Sequence, residues 1–318
     1  MSLTRDLATP DSPLSWWLGV RLPHADRLRA DYLARLHPAP TVCGWPCHAD
    51  PVPWGTLGTA IDLRHRFALS DDLSLEPARI GAWILERACA EIGWPDPGCE
   101  ELFDVVAALV EQWRPDDRTR PVLLPGTVEE RLDRCCVALA WLEAVYRRGL
   151  PRVDERADEV GPLSLAEPVP PLEVLLAGVH PGYLADLQAL LGRHADGWFA
   201  AMRTYSASTD VQIGVTFVGS DLVGGADADW YCRGCLVDCK ATMHPRRLPD
   251  TGLYQPVCYA LLDFDDRYEV DAVGLYLARQ DQLVTWRLDD ALATLAGARV
   301  GAEELRAELA DVLLDAAA

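Results

Sequence analysis

The chain has 318 residues, of which half are hydrophobic and a quarter are charged. This balance supplies enough apolar side chains for one large or two small folded domains, and it excludes disorder over the whole length. The chain has 49 acidic and 29 basic residues, which gives a formal net charge of −20. A nucleic-acid-binding protein of this composition must concentrate its positive charge locally or obtain it from a partner.

The sequence contains no signal for a membrane or for secretion. None of its apolar runs reaches the roughly 20 residues of a membrane-spanning helix, and residues 1–6 lack the pattern of a secretory signal. We therefore expect a soluble, cytoplasmic protein that does not bind membranes, with its ten cysteines mostly reduced.

The N-terminal two thirds of the chain predict helices. Residues 1–53 are punctuated by proline, and only 25–36 among them is predicted as a helix. Apolar residues recur at helical spacing from about 77 to 148 and again from about 172 to 205. The proline-rich and charged stretch between these two regions predicts a linker. We interpret 1–205 as a mainly helical N-terminal region, or as an insertion into the domain that follows.

The pattern changes at residue 206, where β-branched and aromatic residues become frequent. The predicted elements are strands at 211–218, 226–232 and 235–242, a helix at 249–263, a β-hairpin of 271–278 with 282–288, and a helix at 301–316. The order of strands and helices predicts an α/β domain over 206–318.

Acidic residues cluster around a predicted hairpin turn at Arg233-Gly234, where glycine supplies a positive φ. Counting outward from this turn places Asp229 opposite Asp238 and Asp227 opposite Lys240, all on one face. Directly opposed carboxylates destabilise a sheet, and a divalent cation such as Mg²⁺ would remove that repulsion. The alternative is a solvated hairpin face on which Asp227 and Lys240 form a surface ion pair.

Lys240 is the only lysine among the 29 basic residues. Arginine stays protonated in proteins, whereas lysine can exchange a proton with water. A site that handles a water molecule would therefore explain why lysine occurs at this one position.

The next predicted helix carries Gln255 and Tyr259 four residues apart, and hence on one helix face. An acidic residue after a glycine (Asp229), then Asp238-x-Lys240, then Gln-x-x-x-Tyr resembles the RecB-type nucleases of the PD-(D/E)XK superfamily. The resemblance covers about residues 205–290. It implies a restriction-endonuclease-like core, a mixed sheet flanked by helices, and hydrolysis of phosphodiester bonds in DNA, or in RNA, with Mg²⁺ or Mn²⁺.

The resemblance also implies metal ligands. Asp229 and Asp238 would bind the ion together with the backbone carbonyl of Cys239. RecB-type enzymes carry an upstream glycine followed four residues later by a histidine ligand. Gly58 and Asp62 have that spacing, with aspartate in place of histidine. Asp62 is therefore a further candidate ligand, the alternative being an ordinary polar residue.

The remaining residues of the pattern would act on substrate. By the resemblance, Lys240 would orient the attacking water and offset charge on the phosphate, while Gln255 and Tyr259 would position substrate and catalytic groups. Arg246 and Arg247 form a basic run just beyond Lys240 and are candidates for binding the nucleic-acid backbone. Their alternative is a solvated loop.

The cysteines raise the question of zinc and of iron–sulfur clusters. A four-thiolate zinc site, as in a zinc-stabilised interaction module, would need Cys43, Cys47, Cys232 and Cys235, but the spacing of the first pair is irregular for such sites. Some RecB-type relatives hold a cluster through three cysteines downstream of the core, and no cysteine follows Cys258 here. We expect neither zinc nor a cluster.

Two functions follow as hypotheses. The first is a Mg²⁺- or Mn²⁺-dependent nuclease in DNA repair, recombination or phage defence. The second is a non-catalytic or partner-dependent subunit that keeps the nuclease fold. The net charge of −20 leads us to expect, in either case, a protein partner that supplies positive surface or targeting.

Overall fold

A computed structural model describes residues 3–46, 52–70, 73–112, 122–124, 126–150, 160–163, 165–205 and 210–317. The chain divides into two compact units. The first, here the sheet unit, combines Met1–Thr41 with Thr209–Ala318, and the second, here the helical unit, is Val42–Ser208. In sequence, the helical unit therefore interrupts the sheet unit.

Thirteen α-helices lie within the described ranges. The chain begins with α1 (Leu3–Ala8), α2 (Pro13–Arg21) and α3 (Ala25–Arg35). The helical unit contributes α4 (Trp54–Leu69), α5 (Glu76–Glu91), α6 (Cys99–Gln112), α7 (Gly126–Arg148), α8 (Leu172–Ala177), α9 (Pro181–His194) and α10 (Trp198–Tyr205). The sheet unit ends with α11 (Asp250–Leu262), α12 (Leu288–Ala296) and α13 (Ala302–Ala317). No helix in these ranges combines the length and the apolar character that a membrane crossing requires.

The strands are β1 (Val211–Thr216), β2 (Asp227–Cys232), β3 (Cys235–Lys240), β4 (Ala272–Leu277) and β5 (Gln282–Arg287). They form one sheet in the order β1-β2-β3-β4-β5. Only β3 and β4 run parallel, and the other neighbours are antiparallel. All five predicted strands are present with bounds within two residues of the prediction, which confirms an α/β architecture with a mixed sheet.

The N-terminal residues belong to the sheet unit, which differs from the predicted division into 1–205 and 206–318. Residues 1–24, expected to be irregular, contain α1 and α2. Helix α2 packs against α13, and α1 and α3 pack against α11. Leu14, Trp17, Leu28 and Tyr32 are buried in the same hydrophobic core as residues of the sheet. Burial of these side chains accounts for the assignment.

Helix α11 positions the candidate site. Because β3 and β4 are parallel, the chain must cross back over the sheet between them, and α11 makes this crossover. It contacts β2, β3 and β4 as well as α1, α3, α12 and α13. Burial of Leu253, Val257 and Leu261 fixes the helix against the core. The side chains that α11 turns toward β3 are thereby held in place.

The helical unit is built around α7, its longest helix, which contacts α4, α5, α6, α8 and α9. A buried ion pair lies inside it: the Arg64 guanidinium donates to both carboxylate oxygens of Glu129, at 2.7 and 2.9 Å. Residues 77–148, predicted as helical, contain α5, α6 and α7, as expected from their apolar spacing.

Candidate active site

The turn between β2 and β3 is the predicted two-residue turn. Arg233 and Gly234 both have positive φ, 47° and 83°. Such a turn matches the twist of an antiparallel pair. The predicted register is confirmed for the three pairs nearest the turn, which run from Cys232–Cys235 to Trp230–Val237.

Beyond Trp230, a hydrogen bond to the Asp229 side chain takes the place of backbone hydrogen bonds between β2 and β3. One carboxylate oxygen of Asp229 accepts a hydrogen bond from the backbone N–H of Cys239 at 2.5 Å. The backbone pairing of β2 with β3 ends at Trp230. The predicted direct pairs Asp229–Asp238 and Asp227–Lys240 are therefore not part of the ladder. The backbone N–H of Cys239 on β3 donates to the Asp229 side chain. This hydrogen bond fixes Asp229 against the strand that carries Asp238.

Asp238 is the most buried acid of the cluster, with 2% of its surface exposed. The pKa of Asp238 is raised to about 7, chiefly by burial; the nearby carboxylates of Asp229 and Asp227 contribute to the rise, and Lys240 opposes it. The Lys240 ammonium lies 2.6 Å from Asp238 Oδ2. Asp229 and Asp227 are thus close enough to disfavour ionisation of Asp238.

Lys240 lies at the end of β3 with about one fifth of its side chain exposed. Its ammonium donates a hydrogen bond to Gln255 Oε1 at 2.8 Å. Burial disfavours the charged ammonium, but the Asp238 and Asp229 carboxylates outweigh burial and raise the pKa of Lys240. The ammonium therefore stays charged at neutral pH.

Gln255 and Tyr259 extend this network along α11. The amide Nε2 of Gln255 donates to the Tyr259 hydroxyl at 2.7 Å. An ammonium only donates, so the amide must turn its oxygen to Lys240 and its nitrogen to Tyr259. Burial and the nearby carboxylates, Asp238 foremost, raise the pKa of Tyr259 well above its usual value, so the hydroxyl stays protonated. Its ring stacks on Phe217.

The carboxylates suit a divalent cation in one respect. Asp238 Oδ2 is buried and accepts no hydrogen bond of good geometry among the described residues, although Lys240 lies beside it. Those residues contain no group of three or more His, Cys, Asp or Glu side chains placed to hold a metal ion. A cation at Asp229 and Asp238 would take its other ligands from the Cys239 carbonyl, water and substrate, a set that Mg²⁺ accepts.

Asp62, the further candidate ligand, lies on α4 in the helical unit. Its carboxylate is 2.7 Å from the Arg66 guanidinium, one helical turn away. The neighbouring Arg64 and His65 are both buried, and His65 Nε2 lies 3.1 Å from His194 Nδ1. A role for Asp62 in metal binding stays a prediction.

Three of the four cysteines considered for zinc lie among the described residues. Cys232 and Cys235 face each other across the hairpin turn. Cys43 is an exposed thiol of the helical unit, and Cys47 lies outside the described residues. The expectation that these thiols bind no zinc is not tested by this arrangement.

Arg246 and Arg247 lie on a single 3₁₀ turn, Pro245–Arg247, in the loop between β3 and α11. Both side chains are exposed. The same loop is anchored by two residues that sequence reasoning missed, Arg279 and Gln280, both buried. They lie in the connection between the two strands of the predicted β-hairpin, 271–278 and 282–288. Arg279 donates a hydrogen bond to the backbone carbonyl of Ala241. Because any residue provides such a carbonyl, the local sequence gives no sign that this arginine is buried.

Comparison of the chain with protein-family models, curated proteins and solved structures found no match. The site is therefore interpreted from its own residues and geometry.

Proposed function

We propose that this chain is a RecB-type nuclease with a PD-(D/E)XK core that hydrolyses phosphodiester bonds in DNA, or in RNA. The observation that carries the proposal is one continuous side-chain network, in which Asp238 contacts Lys240, Lys240 donates to Gln255 and Gln255 donates to Tyr259. Residues from two separate sequence motifs meet in it. Repair, recombination and phage defence are the processes that such an activity would serve.

The acidic residues would hold the metal ion. Asp229 and Asp238, with the Cys239 carbonyl, offer oxygen ligands of the kind that Mg²⁺ and Mn²⁺ prefer. A bound ion would polarise a phosphoryl oxygen and make water a better nucleophile. The hydrogen bond from the Cys239 N–H orients the Asp229 carboxylate for this purpose.

Lys240 supplies positive charge beside the reacting phosphate. In the protein without metal, the Asp238 and Asp229 carboxylates raise the pKa of Lys240; a charged ammonium at this position would offset the negative charge that develops in phosphoryl transfer. Its hydrogen bond to Gln255 fixes the ammonium, so that it can also orient a water molecule.

Gln255 and Tyr259 act through position. Gln255 holds Lys240, and Tyr259 holds Gln255. With its proton retained, the Tyr259 hydroxyl can also donate toward an anionic group. Both side chains are therefore positioning residues for the ammonium, on a helix fixed by the core.

The acidic composition favours a second candidate, a subunit that acts only with a partner. A net charge of −20 repels polyanions over most of a surface. A partner with a basic surface would then bring nucleic acid to the site, or would itself be the catalyst.

The test is cleavage by purified protein of single-stranded DNA, duplex DNA and RNA, each with Mg²⁺, Mn²⁺ or EDTA. We expect metal-dependent cleavage that Asp238→Asn and Lys240→Ala abolish. Asp311→Asn, an exposed carboxyl on α13, is the matched control and should cleave like wild type. Cleavage that survives Asp238→Asn would overturn the proposed site. Absence of cleavage by wild type, with metal binding at Asp238 intact, would favour the partner-dependent subunit.

A further inference from the structure

The loop that follows Lys240 borders a cavity of about 490 Å³ in the sheet unit. Residues of the α3 C-terminus, of the segment after α3, of the β3–α11 loop and of the β4–β5 connection line it. The polar members are His37, Thr41, His244, Arg246, Arg247, Gln280 and Gln282. The candidate active site does not use this cavity.

The cavity lies next to the candidate active site. Met243, one of its lining residues, is three positions after Lys240. Because an extended chain spans at most about 3.6 Å per residue, the Cα atoms of Met243 and Lys240 are within about 11 Å of each other. Lys240 and this part of the cavity are therefore close enough for neighbouring nucleotides of one strand to contact both.

The charge of the cavity is unusual for this chain. Although the sequence has 49 acidic residues, none lines the cavity. Arg246 and Arg247 have no carboxylate at ion-pair distance within the described part of the chain, whereas Arg21, Arg29 and Arg35 of the same unit each pair with at least one. Two exposed, uncompensated guanidinium groups favour a phosphate ligand.

The loop that carries these arginines is held rigidly. Four of its backbone carbonyls, spread over its length, each accept a hydrogen bond from a side chain outside the loop. The bonds are Arg279 to Ala241 (2.8 Å), Gln280 to Thr242 (3.3 Å), Tyr32 to Pro245 (2.9 Å) and Arg29 to Leu248 (2.6 Å). A loop fixed in this way binds without a further ordering cost.

The rest of the lining suits a sugar and a base. Leu36, Pro38, Met243 and Pro245 supply apolar surface beside the arginines. The volume lies within the ~300–1,000 Å³ of small-molecule sites, and it accommodates one nucleotide but not a duplex about 20 Å across.

We infer that this cavity binds one unpaired nucleotide of the substrate strand, with its phosphate at Arg246 and Arg247 and its sugar and base against the apolar lining. The enzyme then prefers single strands or frayed ends to intact duplex. The inference rests on the proposed nuclease function and adds the substrate class.

Binding is tested without cleavage, in EDTA, by fluorescence anisotropy of a labelled single-stranded oligonucleotide and of the blunt duplex of the same sequence. We expect wild type to prefer the single strand at least tenfold. Arg246→Ala with Arg247→Ala should weaken single-strand binding about tenfold and reduce the slope of log K against log salt by about 0.7, since the two arginines share one phosphate and each phosphate contact on a single strand contributes about 0.7.

Two further variants separate the cavity from general charge. Ala39→Trp fills the cavity without changing charge, and it should weaken single-strand binding while leaving the salt slope unchanged. Arg5→Ala with Arg299→Ala removes the same charge at two exposed arginines outside the cavity, and should change affinity less than twofold. Equal wild-type affinity for both substrates, no effect of Ala39→Trp, or an equal loss in the control would each overturn the inference.

Cleavage assays on the same variants separate this inference from the proposed function. Metal-dependent cleavage that Asp238→Asn abolishes, with cavity variants that bind like wild type, would refute the cavity and leave the nuclease intact. Deoxynucleoside 5′-monophosphates should compete at least about 100-fold more weakly than the strand, because they offer fewer contacts. Equal competition would mean that the cavity binds a free nucleotide, and it would overturn the inference that the cavity binds a nucleotide of the substrate strand.

Discussion

Gln255 Oε1 accepts a hydrogen bond from the Lys240 ammonium at 2.8 Å, so α11 is tied through its side chain to the end of β3. The two residues are 15 positions apart in sequence, and they meet because the parallel pairing of β3 and β4 requires a crossover. The crossover helix brings one face back over β3. The motif Asp-x-Lys and the motif Gln-x-x-x-Tyr thus form one network for a topological reason.

Loss of the Gln255 amide should lower activity without unfolding the protein. We expect Gln255→Ala to reduce kcat about 10- to 100-fold with little change in KM, since Lys240 loses the group that orients it. Tyr259→Phe should cost less, because it removes only the partner of Gln255. Steady-state kinetics on a defined oligonucleotide measures both. Gln212→Ala, at an exposed position of β1, is the control, and a Gln255→Ala enzyme as active as this control would refute the role.

Divalent metal should stabilise the folded protein through Asp238. Mg²⁺ or Mn²⁺ relieves the repulsion among the carboxylates near Asp238, and an ion at 100 times its Kd adds about 2.7 kcal/mol to the free energy of unfolding. We expect the melting temperature of wild type to rise with metal, and that of Asp238→Asn not to respond. Asp311→Asn should respond like wild type. An equal response in Asp238→Asn would locate the ion elsewhere.

The sheet and the core of the site could be predicted because their signals are local. Alternating and β-branched residues marked all five strands. Arg233-Gly234 specified a turn whose length fixed the register, and the spacing of Gln255 and Tyr259 placed both on one helix face. Each of these signals is written within a few residues of the feature that it specifies.

Other features depend on distant contacts. Helix α2 does carry a local signal: Ser12 caps its N-terminus by accepting a hydrogen bond from the Ser15 N–H, and Pro13 is its first residue. So short a helix is nevertheless stabilised mainly by packing. The burial of Arg279 depends on a carbonyl 38 positions away. The β2–β3 ladder ends where the Asp229 side chain accepts a hydrogen bond from the Cys239 N–H. No local sequence pattern predicts this hydrogen bond.

The turn glycine should be needed for stability. Gly234 has φ of +83°, and a Cβ there would lie 2.6 Å from Asp271 Oδ1. A left-handed conformation costs a residue with a side chain roughly 1–2 kcal/mol, so Gly234→Ala should lower the free energy of unfolding by about that amount in urea denaturation. Gly301→Ala, whose Cβ would meet no atom within 4 Å, is the control. Equal stability of the two variants would contradict the turn geometry.

The stability of the protein without metal should depend on pH through Asp238. Burial raises the pKa of Asp238 to about 7, whereas an exposed carboxyl titrates near about 4. Between these values the folded state binds more protons than the unfolded state, so this carboxyl contributes stability that falls as pH rises from about 4 to about 7. In EDTA, the free energy of unfolding of wild type relative to Asp238→Asn should therefore decrease across this window.

Metal should reverse the trend, because an ion binds the deprotonated carboxylate. The rise in melting temperature caused by Mg²⁺ should be small near about pH 5 and grow toward about pH 8, as protons cease to compete for Asp238. Melting curves at several pH values, with Mg²⁺ or EDTA, measure both effects. Asp311→Asn should follow wild type in each. A metal-induced shift that is independent of pH would mean that the ion is bound by groups other than Asp238, and would separate the buried carboxyl from the metal site.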